Sequence, residues 1–473
     1  MKKTKIVTSI GPASASVDVF LKMVMVGANV ARINFSHATM EERENVCKIV
    51  KEVREKTGIQ VGILYDTKGP EFRNGEVVEE GILLECGKRI NIVKENVIGN
   101  QERFSVNHPS AIDSLKVGDT ILLENGLMNI LVVEKYDDYV TCEVIAGGVL
   151  YSRKSLAVPG VKLDIPFISD VDREDIIYAC RHDGNYLALS FTETREDVMA
   201  VREILNNENR GDMKIIAKIE SRTGMDHLEE IISVVDGIMV ARGDLGVEIP
   251  MYDLPIMQKK IVSTCRKYKK ICIVATEMLE SMKHNPRPTR AEVTDVANAV
   301  YNGTDAVMLS GETTTGEYPI ETVQNMASIC EHIEKSIQYK NIFADLKVDN
   351  PTDAIIKSVA DAANSLDAKL IVVPTISGNS AKLISNLAPT CPILALVSDE
   401  TVGYGLQANY GVYTKVVDYW KDLDEIFDKS LIEAKKFLEL QKGEHIIITG
   451  GFRTSEDDMG IVPTNLMKIV TIS

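Results

Sequence analysis

Positive charge is scarce in this sequence. Against 69 Asp and Glu stand 53 Lys and Arg, a formal net charge of −16 over 473 residues. A surface of that sign repels polyphosphate, which excludes nucleic acid as the main partner. Any anionic ligand must then be held by a local cluster of cationic groups or metal ions. The eight cysteines are scattered with no C-x-x-C pair, so neither a disulfide framework nor a thiolate zinc site is expected. No run approaches the ~18 apolar residues of a membrane helix. The opening MKKTKIVTSIGPAS lacks the apolar stretch of a secretory signal. These absences predict a cytoplasmic protein with reduced thiols and no membrane partner. Aromatic residues make up only 5%, and the single tryptophan, Trp420, reads as packing.

At 45% hydrophobic and 26% charged, the chain is globular, and its length suggests about three domains. Eight short apolar runs recur, each followed by polar or Gly-containing loops and an amphipathic helix. They are KIVTSI (5–10), VARINF (30–35), VGILY (61–65), YLALSF (186–191), KIIAKI (214–219), GIMVA (237–241), ICIVA (271–275) and DAVML (305–309). Thr39 and Glu42 form a capping box opening one of the helices. Eight such units predict a (β/α)8 TIM barrel, whose parallel strands are buried on both faces and so read as unbroken apolar runs. The pattern is interrupted at 69–163 by short alternating segments with turn residues and no long helix, expected to be a small inserted β-barrel domain that acts as a lid. A third region, 337–473, alternates helix and strand as an open α/β domain, leaving 1–68 and 164–336 to the barrel.

Active sites of such barrels lie at the C-terminal strand ends. After the second strand, alternation puts Arg32, Asn34 and Ser36 on one face, with His37 following. After the third come Asp66, Thr67, Glu71 and Arg73. These offer hard oxygen ligands for a cation, beside arginines for phosphate oxygens. Taken singly, each stretch also reads as a capped strand end with a solvated arginine. Lys218 and Glu220 share a face of the fifth strand; the sixth leads into Arg242-Gly243-Asp244, and the seventh ends at Thr276. Glu220 and Asp244 are candidate carboxylates for a divalent metal.

In this order, the stretches KIVTSIGPAS, ARINFSH, DTKGPEFR, KIES, DGIMVARGDLGVEIP, ATEMLESM, RPTRAEVTDVANAV and DAVMLSGET resemble the pyruvate kinase family along essentially the whole chain. The resemblance implies phosphoryl transfer from phosphoenolpyruvate to ADP, followed by protonation of the enolate. It implies Lys218 beside the transferring group, Glu220 and Asp244 holding Mg2+ (or Mn2+), and Gly243 and Thr276 at the substrate carboxylate. Arg32 and Arg73 would grip phosphates, and Asn34, His37 and Lys154 would serve the nucleotide. Asn34, Ser36, Asp66 and Thr67 would bind K+, and Glu71 resembles the potassium-requiring type. Thr375, Ser377, Gly378, Asn379 and Ser380 align with an effector-phosphate loop for a phosphorylated activator, and an ordinary helix cap is the alternative there. A homotetramer without an appended phosphotransfer domain is expected.

The sequence departs from the family's pattern at Thr192-Glu193 (usually Val-Arg), Glu277 (usually Gln), Glu124-Asn125-Gly126 (usually Asp-Asp-Gly), Ser155, Ala157 and Asn379. Three other readings stay open: a divalent-metal pyruvate-enolate aldolase or lyase, a class I aldolase with Lys218 as Schiff base, and a weakly active paralogue that binds metabolites as a regulator.

Overall fold

The computed structural model describes residues 1–337, 348, 350–420, 422–451 and 464–473. Each of the eight apolar runs forms a strand: β1 (Lys5–Ser9), β2 (Val30–Asn34), β3 (Gly62–Asp66), β4 (Tyr186–Leu189), β5 (Lys214–Ile219), β6 (Gly237–Ala241), β7 (Ile271–Ala275) and β8 (Ala306–Leu309). All neighbours are parallel and in sequence order, and β8 pairs back onto β1 with Lys5 opposite Ala306, closing the barrel. Alternate residues split between two cores. Val7, Val30, Leu64, Ala188, Ile216, Met239 and Met308 fill the interior. Ile6, Ile33, Ile63, Leu187, Ile215 and Val240 pack outward against the helices. Both faces are dry, which is why the strands carry no polar alternation until their ends.

The helices start where their caps dictate. Met40–Thr57 opens on the reciprocal Thr39–Glu42 box and stops at Gly58, whose φ of 67° is the left-handed conformation a side chain would resist. Arg290–Asn302 repeats the device with Thr289 and Glu292 and ends at Gly303.

Between β3 and β4 the insert forms a six-stranded sheet with a two-stranded ladder beside it, Ile82–Leu84 against Gly148–Leu150. One core, including Ile82, Ile92, Phe104, Ile121, Ile130 and Leu150, spans both. The enclosure expected of a small barrel is therefore built from two ladders around one core, among the described residues. The C-terminal region is a five-stranded sheet with Leu370–Pro374 at its centre and the last strand, Leu466–Thr471, antiparallel at one edge. The expected start of this domain at 337 adjoins 338–347, which lie outside the described residues.

This domain closes the barrel's floor. Ala408 belongs to the same apolar cluster as the barrel interior, and its N–H donates to the Tyr186 hydroxyl at 3.0 Å. Lys5, buried at the floor, lies 4.2 Å from the centre of the Tyr413 ring and donates to the Val412 carbonyl. Floor packing also limits β6: a Cβ on Gly237 would sit 2.8 Å from Ile216 Cδ1 and 2.9 Å from the Ile271 carbonyl oxygen. We expect Gly237→Ala to cost about 1–3 kcal/mol through overpacking, read as a lowered urea midpoint; an unchanged midpoint would contradict this packing.

Candidate functional site

Three strands, β2, β3 and β5, deliver charge to the barrel mouth. Arg32 points inward from β2, and its Nε and Nη2 both lie 2.7 Å from Asp66 Oδ2 at the end of β3, while Nη1 donates to Ser9 Oγ at 2.8 Å. Lys218 points inward from β5, with Nζ 3.2 Å from Asp66 Oδ1 and 3.0 Å from Glu220 Oε1. It also donates to Ser190 Oγ at 2.7 Å, and that hydroxyl donates to the Thr67 carbonyl at 2.7 Å. Glu220 Oε2 accepts the Phe191 N–H at 2.6 Å. Asp66 and Glu220 are each only 1% exposed.

Burial by itself would neutralise these groups, but their mutual charges resist it. For Asp66, burial pushes the pKa up, yet Lys218 and Arg32 outweigh it and hold the carboxyl below its ordinary value. Burial likewise pulls Lys218 down, while Asp66 and Glu220 hold its ammonium above the usual lysine range. Glu220 is raised, by burial first and by the charge of Asp244, with Lys218 opposing. A raised carboxylate facing a second carboxylate marks a place short of positive charge. A protonated lysine held this way is not the free amine that a Schiff base requires.

Across the mouth, the chain after β7 is strained. Thr276 and Glu277 have φ of 68° and 52°, and a β-branched residue adopts that conformation only where its surroundings enforce it. The enforcing group is Arg242, which donates to the carbonyls of Ala275 at 3.2 Å and Thr276 at 2.5 Å and is anchored by Asp295 at 2.6 Å. Thr276 Oγ1 then accepts the Gly243 N–H at 2.8 Å, joining the ends of β6 and β7.

These side chains surround a cavity of about 150 Å³ lined by Arg32, Asn34, Ser36, His37, Thr67, Glu71, Lys218, Glu220, Asp244 and Thr276, among others. Asp66 lies directly behind Arg32 and Lys218, and Gly243 beside Thr276. Arg73 and Lys154 line an adjoining cavity of about 410 Å³ between barrel and insert, and Glu71, Phe191, Glu220 and Asp244 border both. There Arg73 pairs with Glu71 at 2.8 Å and Lys154 with Glu124 at 2.7 Å. The loop Thr375–Ser380 is not part of this site; Ser377, Gly378 and Asn379 line a cavity at the barrel's floor.

Sequence reasoning gave Ser190 and Arg242 no role. Ser190 continues the inward parity of Tyr186 and Ala188, so alternation alone pointed to it. Arg242 carried no such signal, because its partners are backbone carbonyls after another strand. Among the family departures, Glu193 borders the larger cavity, where it accepts from Ser221 Oγ at 2.8 Å, and burial with help from Asp197 raises its pKa. Glu277 is exposed. No helix among the described residues is long and apolar enough to cross a membrane.

Residues 1–323 match the family described as "Pyruvate kinase, barrel domain", and residues 353–470 match "Pyruvate kinase, alpha/beta domain". The chain is 42% identical over 477 residues to a pyruvate kinase of Geobacillus stearothermophilus, covering 100% of this chain and 81% of that protein. It is 38% identical to one of Clostridium perfringens, with 100% of both chains covered. A solved pyruvate kinase structure from Cryptosporidium parvum superposes with a TM-score of 0.93 at 36% identity, over 100% of this chain and 96% of that one.

The charge network makes a stability prediction. A lysine with a raised folded pKa contributes its full stabilisation below the ordinary lysine range, losing it only as pH climbs through the folded value. Lys218→Met, with divalent cations removed, should therefore cost about 3 kcal/mol at pH 8, the price of leaving a buried carboxylate unpaired. The cost should shrink at pH 5, where Glu220 can take up a proton. Urea melts at both pH values measure this, and an equal loss at each would count against the coupling.

Proposed function

The chain belongs to the pyruvate kinase family, and from that premise we propose how its own residues divide the transfer of the phosphoenolpyruvate phosphoryl group to ADP. The observation that carries the assignment is the placement of the Lys218 ammonium, buried, protonated and at the cavity edge between Asp66 and Glu220. Phosphoryl transfer is mostly a matter of positioning and of stabilising charge on the moving oxygens. Lys218 is the catalytic cation facing that group, and Arg32, braced by Asp66 and Ser9, holds the phosphate from the β2 side. Ser190 is a positioning residue that fixes the direction of the Lys218 amine. The substrate carboxylate lies against Gly243 and the hydroxyl of Thr276, which also stands where the enolate takes up its proton.

Glu220 and Asp244 fit a divalent cation, Mg2+ or Mn2+, because they face one cavity and the charge of Asp244 helps raise Glu220. No group of three or more His, Cys, Asp or Glu that could hold a metal occurs among the described residues, so these two carboxylates would be the side chains that hold the ion. When bound, such an ion would supply positive charge that neutralises substrate oxygens. Asn34, Ser36, Asp66 and Thr67 form an all-oxygen set suited to K+. On the nucleotide side, Asn34, His37, Arg73 and Lys154 meet the phosphates of ADP; Arg73 and Lys154 do so by exchanging Glu71 and Glu124 for them. The loop Thr375–Ser380 serves a phosphorylated effector. The units 1–68 with 164–336, 69–163 and 337–473 act as catalytic, lid and regulatory domains of a cytoplasmic homotetramer.

Four outcomes test this division. In a coupled assay with phosphoenolpyruvate, ADP, Mg2+ and K+, wild type should form pyruvate and a folded Lys218→Met should not; undiminished turnover in the variant would remove its role. Ser190→Ala should lower kcat about tenfold or more with KM little changed, as expected for lost alignment, whereas a change in KM alone would make Ser190 a binding group. Replacing K+ by tetramethylammonium should abolish most activity, and full activity there would refute the cation set. A flat response to sugar phosphates and nucleoside monophosphates would remove the effector assignment.

A further inference from the structure

The cavity of about 410 Å³ between barrel and insert contains a charge to which the site above gives no work. Three cations line it: Arg73, Lys154 and Lys162. Arg73 is answered by Glu71 at 2.8 Å and Lys154 by Glu124 at 2.7 Å. Lys162 is exposed and makes no hydrogen bond or ion pair among the described residues. It lies where the insert returns to the barrel. Val161 and Leu163, on either side of it, pack against the core of the insert, so Lys162 moves with that domain.

The barrel wall of the same cavity carries two acids that no cation pairs with among the described residues, Glu193 and Glu248. Glu193 follows β4, at a position where the family usually has arginine. Three neighbours fix it in place. Its N–H donates to Asp197 Oδ2 at 3.0 Å, its carbonyl meets His227 Nδ1 at 2.9 Å, and Oε1 accepts from Ser221 Oγ at 2.8 Å. Burial, and then the charge of Glu193, raises the Glu248 carboxyl to about 7, with Asp244 adding to the rise and the backbone of Arg222 opposing it.

An arginine at position 193 would neutralise Glu248 from within the barrel. A glutamate there reverses the demand: two carboxylates face the cleft, and their cation has to come from across it. Lys162 is the one cation lining the cavity, among the described residues, that no carboxylate holds, and its field already reaches Glu193. In open water such a pair is worth little. It strengthens as a ligand drives water from the cleft, because the same charges attract more at a lower effective dielectric.

We propose that Lys162 of the insert pairs with Glu193 of the barrel, beside Glu248, and that this pair holds the insert closed over the mouth during transfer. Glu193 is then a positioning residue. It acts through the insert, setting how closely Arg73 and Lys154, carried by the same domain, approach the nucleotide. The inference rests on the division of roles proposed above.

The test compares wild type with E193R, K162E and the double variant E193R/K162E. In the coupled assay E193R, although it installs the residue usual in the family, should raise KM for ADP about three- to tenfold with kcat less affected. K162E should do the same, since each reversal removes an attraction and adds a repulsion. The double variant should return KM to within about twofold of wild type. Glu193→Gln keeps an acceptor for Ser221 and removes only charge, and should raise KM about twofold. These rises should shrink between about 0.05 and 0.5 M salt, where exposed pairs are screened. Without substrates, amide hydrogen exchange across 158–163 should quicken in both reversals and slow again in the double variant. Single reversals with unchanged KM and exchange would overturn the pair, as would losses that simply add in the double variant. If wild type formed no pyruvate, the reaction assigned above would fall, while the exchange measurement would still decide the pair.

Discussion

Everything at the barrel mouth depends on two cations and two carboxylates sharing one desolvated space. Arg32, Asp66, Lys218 and Glu220 come from the ends of three strands, β2, β3 and β5, and none could stay charged there alone. Such a network is a poor source of stability, because desolvation takes back most of what Coulomb attraction gives. Its value lies in fixing geometry: the ammonium of Lys218 is aimed by three oxygen partners before any substrate arrives. The strand register is part of the device. A slip of one residue in β5 would turn Lys218 outward into the aliphatic layer of Ile215 and Ile219.

The space between barrel and insert works by a different rule. Two of its cations are already answered by carboxylates of the chain, Arg73 by Glu71 and Lys154 by Glu124. Under the proposed division, a nucleotide phosphate would displace these partners rather than fill a vacant positive patch. The wall opposite is acidic, and Glu248 is pushed up to about 7 by burial and by the neighbouring charge of Glu193. Under the proposed division, selectivity there would come from competition among anions. The overall excess of acidic residues is therefore no obstacle to binding phosphates, since the decisive charges are few and held at fixed distances.

Much of this was legible in the residue order. Parallel strands buried on both faces leave an unmistakable mark, and all eight were visible as apolar runs. Alternation placed Arg32, Asn34 and Ser36 together, and it extended to Ser190 for a reader who followed the parity past Leu189. The capping box at Thr39 marked the helix start. What could not be read was whatever depends on distant parts of the chain meeting. The Glu124–Lys154 pair and the grip of Arg242 on the Thr276 carbonyl join segments with no periodic relation. The left-handed backbone at Thr276 runs against that residue's own preference, so local propensity pointed away from it.

The seal at the barrel's floor has a bearing on how the molecule is made. Synthesis runs from the N-terminus, and domains usually fold as they emerge. Here all eight barrel strands leave the ribosome before Ala408, which completes their inner core, and before Val412, which accepts from the buried Lys5 ammonium. Until then the Tyr186 hydroxyl and Lys5 face an open floor. The nascent barrel is thus an unfinished vessel for the time needed to translate another hundred residues or so, about 5–20 s at ordinary elongation rates. The domain synthesised after the barrel is the one that shuts it.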